Sequence, residues 1–199
     1  MKSFTIAIAL VLYSSLLLAQ GDFKTQISTA KKSYTAGKLE DAHFALQQAL
    51  QELDMIIGKE VLKLMPQKFD TLAYNVKDDR VAANIGFIGA TIHRSYGKQN
   101  KVDVEIINNS PLVNTLNALL NSSMLGGLVR DEKTKVVKVQ GYKSRLERQS
   151  DEVDGKADYQ LQIPFNNALM TLTAKATTEQ AILNIANGFA LAEIAKLIQ

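Results

Sequence analysis

Lys101-Val102-Asp103-Val104-Glu105-Ile106 alternates charge with hydrocarbon at every step. Successive side chains of a strand point to opposite faces. Val102, Val104 and Ile106 therefore share a dry face, while Lys101, Asp103 and Glu105 share a wet one. Such half-buried alternation belongs to an antiparallel sheet with one solvated side. The same period continues outward. Ile88, Ala90 and Ile92 alternate with Gly89, Thr91 and His93 just before it, and Gly97-Lys98-Gln99-Asn100 joins the two runs as a hairpin. Beyond it, Val137 and Val139, then Tyr142 to Gln149, then Tyr159, Leu161, Ile163 and Phe165, then Met170, Leu172 and Ala174 mark four more strands. Asn166-Asn167 supplies a tight turn, since Asn tolerates left-handed angles. About six strands result.

Helices flank this pattern. Ser110-Pro111 offers an N-cap and a first-turn Pro ahead of Leu112, Leu116, Leu119 and Leu120. Thr177-Thr178-Glu179-Gln180 has capping-box spacing and precedes Ile182, Ile185, Ala186 and Phe189, with Asn187-Gly188 placed to split that helix. Two helices come first. Phe23, Ile27, Ala30 and Tyr34 form one apolar stripe, Gly37 stops it, and Ala42, Leu46, Ala49, Leu50, Leu53 and Ile57 form the next. So short a break folds them into an antiparallel hairpin. Pro66 ends the second helix. Phe69, Leu72 and Tyr74 read as a loop or irregular strand, and Lys77-Asp78-Asp79-Arg80 as solvated surface. The fold class is α+β: an N-terminal helical hairpin, then a mostly antiparallel sheet of about six strands with helices packed on one face.

Residues 1–19 carry an address. Lys2 is a basic n-region, Phe4 to Leu18 an apolar h-region of signal-peptide length, and Ala19 a small residue at the cleavage point. The run is shorter than the roughly 20 residues that span a bilayer. The expected division is a signal peptide over 1–19, a helical hairpin over 20–65 and an α+β domain over 66–199. The expected destination is the periplasm or the exterior, in soluble form once cleaved near Ala19, with no stable membrane span. The chain has no Cys, so it forms no disulfide and takes no lipid on a cysteine.

Composition narrows the function. Hydrophobic residues at 46% and charged ones at 22% place the chain among globular rather than disordered sequences. Its net charge of +3 is spread among acidic residues with no basic cluster, and it has no Trp, which argues against nucleic acid as a partner.

No catalytic constellation stands out. His43 and His93 have no partner at metal-ligand spacing. Asp151, Glu152, Asp154 and Asp158 surround Gly155, but a calcium loop set on Asp154-Gly155 would close at Leu161, which is no ligand; a hairpin turn explains them. Ser95 and Ser144 lack a Gly-x-Ser-x-Gly setting. Asp103 and Glu105 share a strand face about 7 Å apart, as a wet sheet face requires. No catalytic, metal or cofactor residue is assigned. A pocket gathering His93, Arg94 and a carboxylate would favour a hydrolase instead. The remaining candidate contact is the apolar, glycine-containing stretch Met124, Leu125, Gly126, Gly127 and Leu128, placed to touch a ligand or partner just past a helix.

Tyr34-Thr35-Ala36-Gly37-Lys38-Leu39-Glu40-Asp41-Ala42, followed by Leu46 and Ala49-Leu50, resembles one tetratricopeptide repeat. Ala30, Gly37, Leu39, Ala42 and Ala49 match the family's turn glycine and small packing residues. The aromatic near the family's start and the Pro that closes its second helix are missing, and no second copy follows. The resemblance implies a helical hairpin and a peptide-binding groove. The later part resembles small exported bacterial proteins of unknown function, with a layout similar to PsbP-like envelope domains. Together these readings predict a non-catalytic, exported binding or accessory module that contacts another envelope protein. The alternative is a carrier or sensor of a small apolar ligand held between the sheet and its helices.

Overall fold

The computed structural model describes residues 22–83, 89–99, 101–122 and 133–198. The chain divides into two compact units, Met1–Ile56 and Ile57–Gln199. In the first, α1 (22–35) is joined at Gly37 to the first part of α2 (Leu39–Leu64). Gly37 sits at φ +72°, where a side chain would be strained. The Gly37 N–H donates to the Tyr34 carbonyl and the Lys38 N–H to that of Ser33, at 3.0 and 2.9 Å. This is the Schellman pattern that caps a helix through a left-handed residue. Among the described residues of this unit, Ala30, Ala42, Ala45 and Ala49 are the buried positions; side chains of that size let two helices approach closely.

Gly58 does not end α2. The helix runs on to Leu64, and the division of the chain falls inside it, between Ile56 and Ile57. A Cβ at Gly58 would fall well inside contact distance of Val81 Cγ1, so the glycine is required by the approach of a neighbouring strand rather than by a turn.

The second unit continues with a small hairpin, β1 (Lys68–Phe69) and β2 (Leu72–Ala73), where a loop or irregular strand was expected, and a 3-10 turn over Val76–Asp78. Seven strands then form one sheet: β3 (Arg80–Ala82), β4 (Thr91–Tyr96), β5 (Val102–Ile107), β6 (Thr134–Val139), β7 (Tyr142–Arg148), β8 (Ala157–Phe165) and β9 (Ala168–Thr177). Their order is β3-β4-β5-β9-β8-β7-β6, and every pairing is antiparallel. The alternation does fix an α+β fold with an antiparallel sheet. The additional strand is β3, three residues long and too short to display a period.

Register builds two faces. Ile92, Ile106, Met170 and Ile163 lie in one cross-strand row, and Val104, Leu172, Leu161 and Leu146 in the next. These rows form the main core. Val61 and Met65 join it, as do Ile182 and Ala186 of α4 (Glu179–Asn187) and Leu191 and Ile194 of α5 (Leu191–Leu197). Thr178 caps α4, accepting from the Ala181 N–H at 3.2 Å, one residue later than the box spacing placed the cap. Gly188 separates α4 from α5 in helical geometry; its missing Cβ leaves room for Phe69, whose Cε1 would lie 2.8 Å away.

On the other face, α3 (Leu112–Asn121) buries Val113, Leu116 and Leu120 against Leu169, whose side chain alternates away from Met170. The expected Ser110 side-chain cap is not made. The helix is entered through Pro111, and the Val113 N–H donates to the Ser110 carbonyl. Much of the rest of that face is polar, with Glu105, Thr171, Gln162 and Arg145 in one row.

Candidate binding site

The 580 Å³ cleft in the second unit is built from three elements. Its floor is the end of β5 and β9, at Val102 and Ala174. Its wall is one face of α4, where Ala181, Asn184 and Ile185 fall at i, i+3 and i+4. Its roof is the β1–β2 hairpin, Phe69 and Leu72 flanking the turn at Asp70-Thr71. Asp70 holds a left-handed φ of +50°, a conformation Asp tolerates. The floor and walls are hydrocarbon, and Asp70, Thr71, Lys101, Thr177 and Asn184 supply polar groups. The Lys101 ammonium donates only a long 3.3 Å bond, to the Ala176 carbonyl. An apolar recess of this size with a few polar groups suits a small amphipathic molecule.

Phe69 belongs to an aromatic cluster behind the cleft, its ring centroid 4.9 Å from Tyr96 and 5.1 Å from Phe189. The buried Tyr96 hydroxyl donates to the Pro66 carbonyl at 2.9 Å, and burial pushes its pKa up to about 12, with Arg94 opposing the rise.

Edge strand β3 and the turn before it form the densest polar network. Arg94 is buried, and its guanidinium donates to both Asp79 oxygens, at 2.8 and 2.5 Å, and to the Met65 carbonyl at 3.1 Å. It also lies 4.5 Å from the centre of the Tyr74 ring. Burial alone would lower the Arg94 pKa; the bond and charge of Asp79 outweigh it and carry the net shift upward. Asp78 turns the other way and accepts from the Ser95 hydroxyl at 2.7 Å. The reading of Lys77-Asp78-Asp79-Arg80 as plain surface is thus corrected. Asp78 and Asp79 clasp opposite faces of β4, and Arg80 begins β3.

This geometry decides what the sequence candidates can do. Arg94 and Asp79 share a 260 Å³ pocket with Met65, Gln67 and Tyr74. His93 is not in it. Alternation sends His93 to the opposite face, where Nδ1 donates to the Asp78 carbonyl and Nε2 meets the Asp103 carboxylate. The histidine, arginine and carboxylate that together would favour a hydrolase are therefore divided between the two sides of the sheet. Ser95 and Ser144 are fully buried, beyond the reach of a substrate. Asp103 is engaged by His93, while Glu105 beside it is exposed.

Asp154-Gly155 makes a two-residue turn with both φ angles positive, between paired Val153 and Lys156, which is the type I′ geometry of a hairpin. The carboxylates around it disperse: Asp151 to Lys133, Glu152 to Arg148, Asp158 to the Ala176 N–H. Among the described residues no cluster of three or more His, Cys, Asp or Glu is placed to hold a metal ion. Met124, Leu125, Gly126, Gly127 and Leu128 lie outside the described residues.

A second surface was visible in the sequence only as a helical stripe. In the first unit Leu39, Leu46, Leu50 and Leu53 of α2 are exposed, by 64, 47, 61 and 38%. Ile27 and Tyr34 of α1 are exposed as well. Only the alanine side of each apolar sector is covered. Among the described residues no helix is long and apolar enough to cross a membrane. No known family model, curated protein or solved structure matches the chain.

Proposed function

We propose that this is an exported, non-catalytic accessory protein of the cell envelope, acting through contacts with another envelope protein made by its N-terminal hairpin. The carrying observation is the exposed row Leu39, Leu46, Leu50 and Leu53. Contiguous exposed hydrocarbon of this kind marks an interaction surface more often than an ordinary one. An amphipathic helix offers such anchors at successive turns to the apolar face of a partner. The n-region, h-region and Ala19 of the first 19 residues support export to the periplasm or beyond. The tetratricopeptide-like hairpin sequence supports protein contact. The test is in-cell cross-linking of the tagged protein in its own host, followed by recovery of the envelope fraction. Leu46→Glu with Leu50→Glu is expected to remove the discrete cross-linked species while leaving export unchanged. Species that persist unaltered in the variant contradict the reading.

A second reading has its own observation. The 580 Å³ cleft under the β1–β2 hairpin supports a carrier or sensor of a small apolar ligand. Native mass spectrometry of protein isolated from its host is expected to reveal a bound mass that Ala181→Phe, which fills the cleft, abolishes. Identical masses for both proteins would refute it.

A further inference from the structure

A bulge in β9 puts a hydroxyl where plain alternation would not. Tyr159 pairs with Ala174 and Ala157 with Thr177, so β9 uses one more residue than β8 across that step. Ala176 takes a left-handed φ of +44°, and its N–H donates to the Asp158 carboxylate at 2.8 Å. Without the extra residue Ala174 and Ala176 would share a face. With it, Ala174 and Thr177 do: both are buried, both line the 580 Å³ cleft, and Lys175 and Ala176 between them are exposed. Bulges re-aim side chains in this way. Thr177 is only 9% exposed, and its hydroxyl makes no hydrogen bond among the described residues. A polar side chain this enclosed looks to an occupant of the cleft for its partner.

The Lys101 ammonium lies beside it. Its bond to the Ala176 carbonyl, at 3.3 Å, holds it at the peptide that leads into Thr177. Among the described residues no carboxylate pairs with Lys101. Asn184 accepts from Gln180 through its oxygen at 2.8 Å and so keeps its amide N–H groups to donate. Asp70 is the one acid among the described lining residues. It sits exposed at the turn of the β1–β2 hairpin, in the left-handed conformation that the turn uses. The strand side of the cleft therefore offers one unpaired positive charge with a hydroxyl next to it. Around them Phe69, Leu72, Val102, Ala174, Ala181 and Ile185 present hydrocarbon.

We propose that the cleft holds a single-chain carboxylate amphiphile, its head at Lys101 and Thr177 and its tail between the β1–β2 hairpin and α4. The inference rests on the reading of the cleft as a ligand carrier and gives that ligand its head group. An ammonium only donates, so the group it meets must accept. A carboxylate accepts from the ammonium and from the hydroxyl, and it cancels the unpaired charge. Charge-assisted bonds of this kind are roughly twice as strong as neutral ones. An alcohol head leaves the charge unmatched, and an ammonium head is repelled by it. A phosphate monoester would bring a charge of about −1.5 to −2 to a site with one cation. The tail gains by leaving water for the hydrocarbon walls.

The test is isothermal titration calorimetry of the purified protein with three probes of one chain length: decanoate, decanol and decylammonium. Decanoate is expected to bind about 10-fold more tightly than decanol, and decylammonium most weakly. Lys101→Met keeps the hydrocarbon stem and Thr177→Val keeps the side-chain shape. Each should cut the preference for decanoate about 5-fold or more while decanol binds as before, and an unchanged decanol affinity shows that the variant cleft is intact. Asp70→Asn should leave the preference unaltered. Equal affinity for decanoate and decanol overturns the head-group site while the carrier reading stands. A preference that survives both Lys101→Met and Thr177→Val does the same. A preference for decylammonium that Asp70→Asn removes places the head at the hairpin turn and also overturns the inference. If no probe binds, the inference is overturned, and the native mass spectrum of host protein decides the carrier reading separately.

Discussion

Asp79 looks, in sequence, like one charge in a solvated run of four. Its partner Arg94 lies 15 residues onward and is buried. Removing one member of a buried pair leaves the other uncompensated, at a cost of about 3–5 kcal/mol. Asp79→Ala is expected to lose that much in urea unfolding, and Asp79→Ala with Arg94→Met to lose clearly less, because no orphaned guanidinium remains. Equal losses would mean the pair is not buried in solution. Tyr96 gives a pH signature. A phenol near 10 when unfolded and about 12 when folded stabilises the fold fully below pH 10, and this is lost as pH rises from 10 through 12. The two-unit difference corresponds to roughly 2–3 kcal/mol. Tyr96→Phe gives up the bond to Pro66 and so starts less stable by about 1 kcal/mol. The gap between it and the parent should close and then reverse as pH rises from 10 through 12; a constant gap would refute the buried phenol. Neither residue's role was legible from the chain, since no local period relates Asp79 to Arg94 or Tyr96 to Pro66.

At the scale of elements the sequence reads well where a period repeats. β5 alternates from Val102 to Ile106 and β8 from Ala157 to Ile163, and both became sheet strands with their apolar sides in the core. Reading failed where an element is short or a residue answers to a distant neighbour. β3 spans three residues, and β1 and β2 two each. Gly58 lies inside α2, and only the structure shows that its smallness serves Val81. Gly58→Ala tests this directly. Helix propensity favours alanine by about 1 kcal/mol, while overpacking against Val81 costs about 1–3 kcal/mol. The variant is expected to be destabilised, and Val81→Ala added to it should recover much of the loss. A Gly58→Ala protein more stable than its parent would contradict the close approach of α2 to β3. Gly188 behaves alike: Gly188→Ala should lower stability unless Phe69 is shortened with it.

At the scale of the molecule, two features concern what the chain meets rather than how it folds. The first is residues 1–19, which the proposed function reads as an export signal. N-terminal sequencing of the exported protein is expected to begin at Gln20; a start at Met1 would contradict cleavage after Ala19. The second is the hairpin, whose apolar period was plain in the sequence. Periodicity located the stripe but did not divide it. Ala42, Ala45 and Ala49 took the buried side and Leu39, Leu46, Leu50 and Leu53 stayed exposed, a split that depends on which side faces the neighbouring helix and not on hydrophobicity. The measurement that bears most directly on a function exercised through this surface is photo-cross-linking in living host cells, with the reactive group placed at Leu50 and, as a comparison, at exposed Val153. The account predicts discrete adducts from position 50 and none from position 153. No adduct from position 50, or the same pattern from both, would contradict it.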